Sequence, residues 1–195
     1  MARALYGLVL AGGKSRRMGS DKALLQRHGK SQLAYLYELL AAVTAKAFVS
    51  ARQDQQDEPQ RAQYPQIVDR YDDIGPAAGI LSAMDAFPDA DWLVVACDLP
   101  NIVRPTLEVL LAARDQHKPF VAFRSTHDDL PEPLCALYLE GAAAIVRGFV
   151  DEGSVCPRKM LIRSDTLLLV QPDPVALDNI NTPDDLQRSV LEATT

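Results

Sequence analysis

A chain of 195 residues is long enough to fold as one unit that buries roughly 70% of its extended surface. Apolar residues make up 48% and charged residues 24%, the balance of a globular protein rather than of a disordered or membrane-spanning one. With 20 Lys and Arg against 26 Asp and Glu the net charge is −6, which argues against the broad basic face of a nucleic-acid binder and requires any anion site to gather its cations locally.

The chain alternates strand-like and helix-like segments from its start. Leu5–Leu10 is a short apolar run that meets Gly12-Gly13, read as a buried strand ending in a turn. Leu33, Leu36, Tyr37 and Leu40 fall at i, i+3, i+4 and i+7, the spacing of an amphipathic helix. Ala47-Phe48-Val49 and Gln66-Ile67-Val68 read as second and third strands, and Ala77–Phe87 as a helix opened by Gly75-Pro76. Trp92–Ala96 is apolar at every position, as a parallel strand covered on both faces should be. Leu107, Leu110 and Leu111 mark a helix, and Phe120–Phe123 the next strand. Leu134–Leu139, Ala142–Val150 and Leu167–Val170 then read as strand, helix and strand. The stretch from about 124 to 178 is less regular and is expected to hold insertions around a site. Thr182-Pro183-Asp184-Asp185 carries the N-cap, first-turn proline and acidic residues of a helix start. Such alternation predicts an α/β fold: a doubly wound, mostly parallel, Rossmann-like sheet with helices on both faces. With no repeat or linker, residues 1–195 are expected to form a single domain.

Cys97, Cys135 and Cys156 are odd in number and widely spaced, and His28, His117 and His127 stand apart, so the cysteines read as plain thiols in a reducing compartment. No secretory signal pattern is visible, because the apolar run after Met1 stops at Gly12-Gly13-Lys14. The run Trp92–Cys97 is far short of the ~20 residues that cross a bilayer. The expectation is a cytoplasmic protein, with neither membrane nor nucleic acid as partner.

Ligands of open α/β sheets bind at the carboxyl ends of the strands. There the chain reads Leu10-Ala11-Gly12-Gly13-Lys14-Ser15-Arg16-Arg17-Met18-Gly19-Ser20-Asp21-Lys22. Lys14, Arg16, Arg17 and Lys22 face a lone Asp21 in charge, inside an acidic chain. Paired glycines let backbone N–H groups approach phosphate oxygens without a Cβ in the way. Arginine offers a forked donor and lysine a point charge. A solvated basic loop is the plain alternative, but its place at the end of the first strand favours phosphate binding. Two better-known loops are absent: a Walker A loop would need glycine where Leu8 stands, and Gly-x-Gly-x-x-Gly does not occur.

The stretch from Leu10 to Lys22 resembles the signature of molybdenum cofactor guanylyltransferases, within the superfamily that activates sugars and other phosphates with nucleoside triphosphates. Gly75-Pro76-Ala77-Ala78-Gly79, Cys97-Asp98-Leu99-Pro100 and Asn179-Ile180-Asn181-Thr182-Pro183 agree in order. The resemblance implies transfer of GMP from GTP to molybdopterin-bound molybdenum cofactor, with Mg²⁺ and release of pyrophosphate. Transient contact with other molybdenum-cofactor biosynthesis proteins is a further expectation. A cytidylyltransferase, a sugar-phosphate nucleotidyltransferase and a non-catalytic nucleotide-binding module are the alternatives.

The resemblance assigns catalysis to Arg17, Lys22 and Asp98, and nucleotide binding to Leu10, Ala11, Gly12, Gly13, Lys22, Ser50, Asp69 and Gly79. It assigns metal binding to Asp98 and Asn181. Beside these implied roles (for Asp69, contact with the base or its ribose) stand plain alternatives: Asp98 a strand-end turn residue, Asp69 a solvated carboxylate, and Asn181 a turn cap. Ser50 departs from the family's usual Asn and makes fewer hydrogen bonds. Gly12 stands where CTP-using relatives carry Ala, leaving a methyl's worth of room beside the larger base. Pro131–Tyr138 and Pro157-Arg158-Lys159 are candidates for the acceptor side. Asp72-Asp73 and Asp128-Asp129 read as solvated loop charges.

Overall fold

In a computed structural model, residues 3–13, 21–27, 30–180 and 185 are described. The first strand, β1 (Ala4–Leu10), is followed by a 3₁₀ turn at Lys22–Leu24 and a small antiparallel hairpin of β2 (Gln26–Arg27) and β3 (Lys30–Ser31). Helix α1 (Gln32–Ala41) begins on Ser31, whose hydroxyl accepts from the Ala34 N–H, one of the donors that a helix start leaves unmet. Strands β4 (Lys46–Ala51) and β5 (Gln66–Val68) precede α2 (Pro76–Ala86). Its cap, Gly75, has φ of +59°, a conformation glycine adopts without strain, and Pro76 follows at the first helical position. Next come β6 (Ala90–Ala96), α3 (Arg104–Ala112), β7 (Phe120–Arg124) and β8 (Pro131–Tyr138). The chain then forms α4 (Ala142–Asp151), α5 (Pro157–Ile162) and β9 (Thr166–Leu169).

Seven strands form one sheet in the order β5-β4-β1-β6-β8-β7-β9. All neighbours run parallel except β8, which is antiparallel to β6 and β7. Alternation along the strands divides the core into two layers. Val9, Leu93 and Val95 pack under Leu33, Leu36, Leu107 and Leu110 from α1 and α3. Leu8, Trp92 and Val94 pack under Ile80, Leu81, Val146 and Met160 from α2, α4 and α5. Every residue of β6 is buried; Trp92–Ala96 is accordingly apolar throughout, while the buried Asp91 is matched by Arg3 and Arg114. The irregular-looking stretch 124–178 is more regular than expected and contains β8, α4, α5 and β9. Its six-residue helix, α5, is too short to register as a periodic pattern.

Register brings the carboxyl ends of the central strands level: Leu10 is paired with Ser50 on one side and Ala96 on the other. The ladder continues one residue beyond them, with Ala11 N–H donating to Ser50 and Cys97 N–H to Leu10. Pro131 and Pro133 open β8 before its pairing with β6, which begins at Cys135. A proline cannot donate to a ladder, so β6 and β8 part at this end of the sheet. The gap sits beside Asp98.

Candidate active site

A cleft of about 580 Å³ lies over the level strand ends, lined by the Leu10–Gly13 turn, Lys22, Ser50, Asp69, Gly79 and Asp98 among others. The fold thus gathers on one edge nine of the eleven residues expected to form the site. Arg17 and Asn181 lie outside the described residues. Ile180, next to Asn181, donates its N–H to the Asp98 carbonyl at 2.9 Å.

Asp98 leaves β6 into the gap before β8. Its Oδ1 is sealed from solvent, and no described residue hydrogen-bonds to it. Burial pushes its carboxyl above the usual carboxylate range, while the charge of Lys22 pulls it back down. A desolvated carboxylate oxygen without a partner is costly unless a ligand satisfies it. Lys22 starts the 3₁₀ turn that Asp21 caps, with the Asp21 carboxylate accepting from Ala23 N–H at 3.1 Å.

In the same cleft, Ser50 is 1% exposed and its hydroxyl donates to Asp69 Oδ1 at 2.8 Å. Burial raises the Asp69 carboxyl, opposed by that hydrogen bond and by the Arg52 charge. The doubt over Ser50 therefore has a structural answer: its hydroxyl orients Asp69. A Cβ on Gly12 would meet Asp69 Oδ2 at 3.1 Å. The space that glycine leaves is thus taken up by the Asp69 carboxylate and is not an open methyl-sized hole. Gly79 sits inside α2 and is buried. A Cβ there would collide with Ser50 Oγ and lie 2.8 Å from Leu10 Cδ2, so this glycine brings the helix close to the strand ends.

Asp72 and Asp73 are exposed, as expected, and stand at the cleft. Asp128 has a partner in Arg158 at 2.9 Å, and the Leu130 N–H holds its carboxyl below the usual range. Arg158 also reaches Glu132 at 2.8 Å, so its charge is already matched by two carboxylates. Lys159 is exposed on α5 and does not line a cavity. Arg158 and the Pro133–Cys135 stretch instead border a second cavity of about 550 Å³, with Leu99, Val155 and Leu177. It adjoins the first at Pro76 and Leu134.

Two arginines that the sequence did not single out hold the glycine turn, Arg61 from outside the cleft and Arg52 from its lining. Arg61 is fully buried and donates to the Ala11 carbonyl at 2.8 Å and to Asp21 at 2.6 Å. Arg52 donates to the Gly12 carbonyl. Nothing local marks them, because residues 52–64 carry no strand or helix period and the contacts span 40 and 50 positions.

A level strand edge, a glycine turn and an unmet carboxylate beside a lysine define a nucleotide-binding transferase of the α/β class. Residues 7–166 match the MobA-like NTP transferase domain, and the chain belongs to that family. It is 38% identical over 181 residues to the molybdenum cofactor biosynthesis bifunctional protein of Synechocystis sp.. That match covers 93% of this chain and 52% of the relative, so the chain spans about half of that protein. To the molybdenum cofactor guanylyltransferase of Xanthomonas euvesicatoria it is 31% identical over 197 residues, covering 98% of this chain and 97% of the other. The crystal structure of molybdopterin-guanine dinucleotide biosynthesis protein A from Archaeoglobus fulgidus superposes with a TM-score of 0.81 at 26% identity, over 97% and 98% of the two chains. Among the described residues no helix is long and apolar enough to cross a membrane.

Proposed function

We propose that this chain is a cytoplasmic, single-domain guanylyltransferase that moves GMP from GTP to the terminal phosphate of molybdopterin-bound molybdenum cofactor. The observation that carries the reading is the cleft itself, whose lining includes Asp98, Lys22, the Gly12-Gly13 turn and the hydrogen-bonded Ser50–Asp69 pair. An acceptor phosphate oxygen forms a bond to the α-phosphorus of GTP, and the bond between the α-phosphorus and its bridging oxygen to the β-phosphate breaks. Pyrophosphate leaves with the electron pair. The acceptor is already an anion, so no covalent enzyme intermediate is required, and positioning with charge neutralisation performs the catalysis. Lys22 neutralises charge that grows on the phosphates, and Arg17, on the same loop, is proposed to do the same.

Mg²⁺ fits the donor set, since it takes one or two carboxylates and fills its shell with phosphate oxygens and water. The sealed, unpartnered Oδ1 of Asp98 is such a donor, and Asn181 is proposed beside it. When bound, the ion would neutralise triphosphate oxygens. Asp69, held by Ser50, accepts hydrogen bonds, which suits a guanine edge that offers two neighbouring donors. The adjoining apolar cavity between β8 and α5 is proposed to take the pterin. Partners that hand over this acceptor would dock at its mouth.

The test is pyrophosphate release with Mg²⁺, molybdopterin cofactor and either GTP or CTP. The expected result is turnover with a preference for GTP. Preference for CTP would replace guanylyl by cytidylyl transfer, and GTP binding without turnover would leave a nucleotide-binding module.

A further inference from the structure

We propose that Arg52 and Arg61 are positioning residues that aim the amides of the glycine turn at the phosphate chain, an inference that rests on the triphosphate reading of that turn. The two guanidinium groups take consecutive carbonyls. Arg61 Nη2 holds Ala11 O at 2.8 Å, and Arg52 Nη1 holds Gly12 O. Every described peptide is trans. In a trans peptide the N–H points opposite the carbonyl of the same plane. Fixing Ala11 O therefore fixes the direction of Gly12 N–H, and fixing Gly12 O fixes that of Gly13 N–H. No described residue accepts either N–H. Both glycines line the cleft, whereas Arg61 lies outside its walls, so the Ala11 carbonyl is drawn into the protein and the amide beyond it is turned out.

Each arginine is anchored in turn. Arg52 holds Asp54 through Nε and Nη2, both at 2.9 Å. Arg61 reaches Glu58 at 3.2 Å and Asp21 at 2.6 Å. Asp21 and Ala11 stand on either side of the basic loop, so one guanidinium spans its two ends. A planar fork can hold a carbonyl and a carboxylate at once, which a lysine ammonium does less rigidly. Arg61, outside the cleft walls and matched by Glu58 and Asp21, acts on the backbone, whereas Arg52 lines the cleft and its charge, shared with Asp54, also reaches Asp69. Pre-aimed amides meet an anion without reorganising, which is where such donors gain their effect.

Tripolyphosphate, which has no base or ribose, is the probe, with GTP beside it and Mg²⁺ present. In the wild type its addition is expected to shift the Gly12 and Gly13 amide proton resonances downfield. Arg52→Gln should weaken tripolyphosphate and GTP binding by the same factor, at least fivefold, and shrink those shifts. Arg52→Lys should not restore either, although it restores the charge. Arg61→Gln should act in the same direction. If it does not fold, the Arg52 pair and the resonance shifts carry the test. Equal affinities in all variants would overturn the inference, as would full rescue by lysine, which would make charge the cause. Loss of GTP binding with tripolyphosphate unchanged would also overturn it, by moving Arg52 to the nucleoside. A wild type that binds GTP but gives none of these differences refutes the positioning role alone. A wild type that binds neither probe refutes the reading of the loop and this inference with it.

Discussion

Asp98→Asn is expected to remove turnover and at the same time stabilise the ligand-free protein. The two effects have one cause. Asp98 Oδ1 is buried without a hydrogen-bond partner among the described residues, and burial raises its carboxyl pKa. An unmet buried polar group costs about 1–3 kcal/mol, more when charged. The Lys22 charge opposes that cost and Asp98 as a whole is only half-buried, so the low end, about 1 kcal/mol, is the working figure at pH 7. For a chain of this size that corresponds to a rise in Tm of roughly 2–4 °C. The sign follows from linkage. A carboxyl whose folded pKa is raised favours the native state when protonated, and that contribution is lost as pH rises through the raised value. Asparagine keeps the shape without the charge, so the variant's advantage is present at neutral pH and closes as pH falls toward the ordinary value of 3.8. Denaturant melts of both proteins between pH 8 and pH 4 measure this gap. Pyrophosphate release measures the loss of activity. A variant no more stable than wild type at pH 7, or a gap that widens on acidification, would refute the desolvated carboxylate. Turnover within about tenfold of wild type at saturating Mg²⁺ would refute its role as principal ligand, since the loss of one such electrostatic contact ordinarily costs 10²–10³.

Lys22→Ala should lower kcat by about 10²–10³ and also lower Tm, because the charge that offsets the burial of Asp98 goes with it; unchanged turnover together with unchanged GTP affinity would return Lys22 to the surface. Gly12→Ala places a methyl 3.1 Å from Asp69 Oδ2, so kcat/KM for GTP should fall severalfold and the GTP/CTP ratio narrow. A ratio that does not move would confine Gly12 to the turn. Gly79→Ala forces a methyl against Ser50 Oγ and Leu10, overpacking that costs about 1–3 kcal/mol, read by denaturant melts. GTP affinity should fall as well, because Ser50 would be pushed off Asp69. A stability loss with GTP affinity intact would separate Ser50 from base recognition.

The elements with a strong local period were legible in the sequence. Leu33, Leu36 and Leu40 placed α1, and the unbroken apolar run Trp92–Ala96 placed the central strand. The candidates Ser50, Asp69 and Asp98 converge on one cleft because each follows or nearly ends a strand whose register brings it to the same edge. What was not legible depends on long-range geometry. Whether β8 runs parallel or reversed leaves no trace in its alternation, since either direction buries Cys135 and Leu137 in the same layer. Ser50 looked like a weakened contact until its hydroxyl was found on Asp69, 19 residues away. Arg61 looked like any loop cation because its burial at 0% exposure is tied to Ala11 and Asp21, 50 and 40 positions away in the chain. Arg158 looked available for a phosphate, and only the fold reveals that Asp128 and Glu132 already hold it.

The reversed strand decides which lengths of chain meet the two substrates. A parallel strand would deliver its end to the ligand edge, whereas β8 delivers its beginning, so Pro133 and Leu134 arrive beside Asp98. On the proposed reading, nearly all the nucleotide's contacts come from residues up to 98, and most of the acceptor's walls come from residues after it. The seam between them is the opening where β6 and β8 part. A family built this way can exchange what it caps by altering the later half of its sequence, while the earlier half goes on handling a triphosphate unchanged.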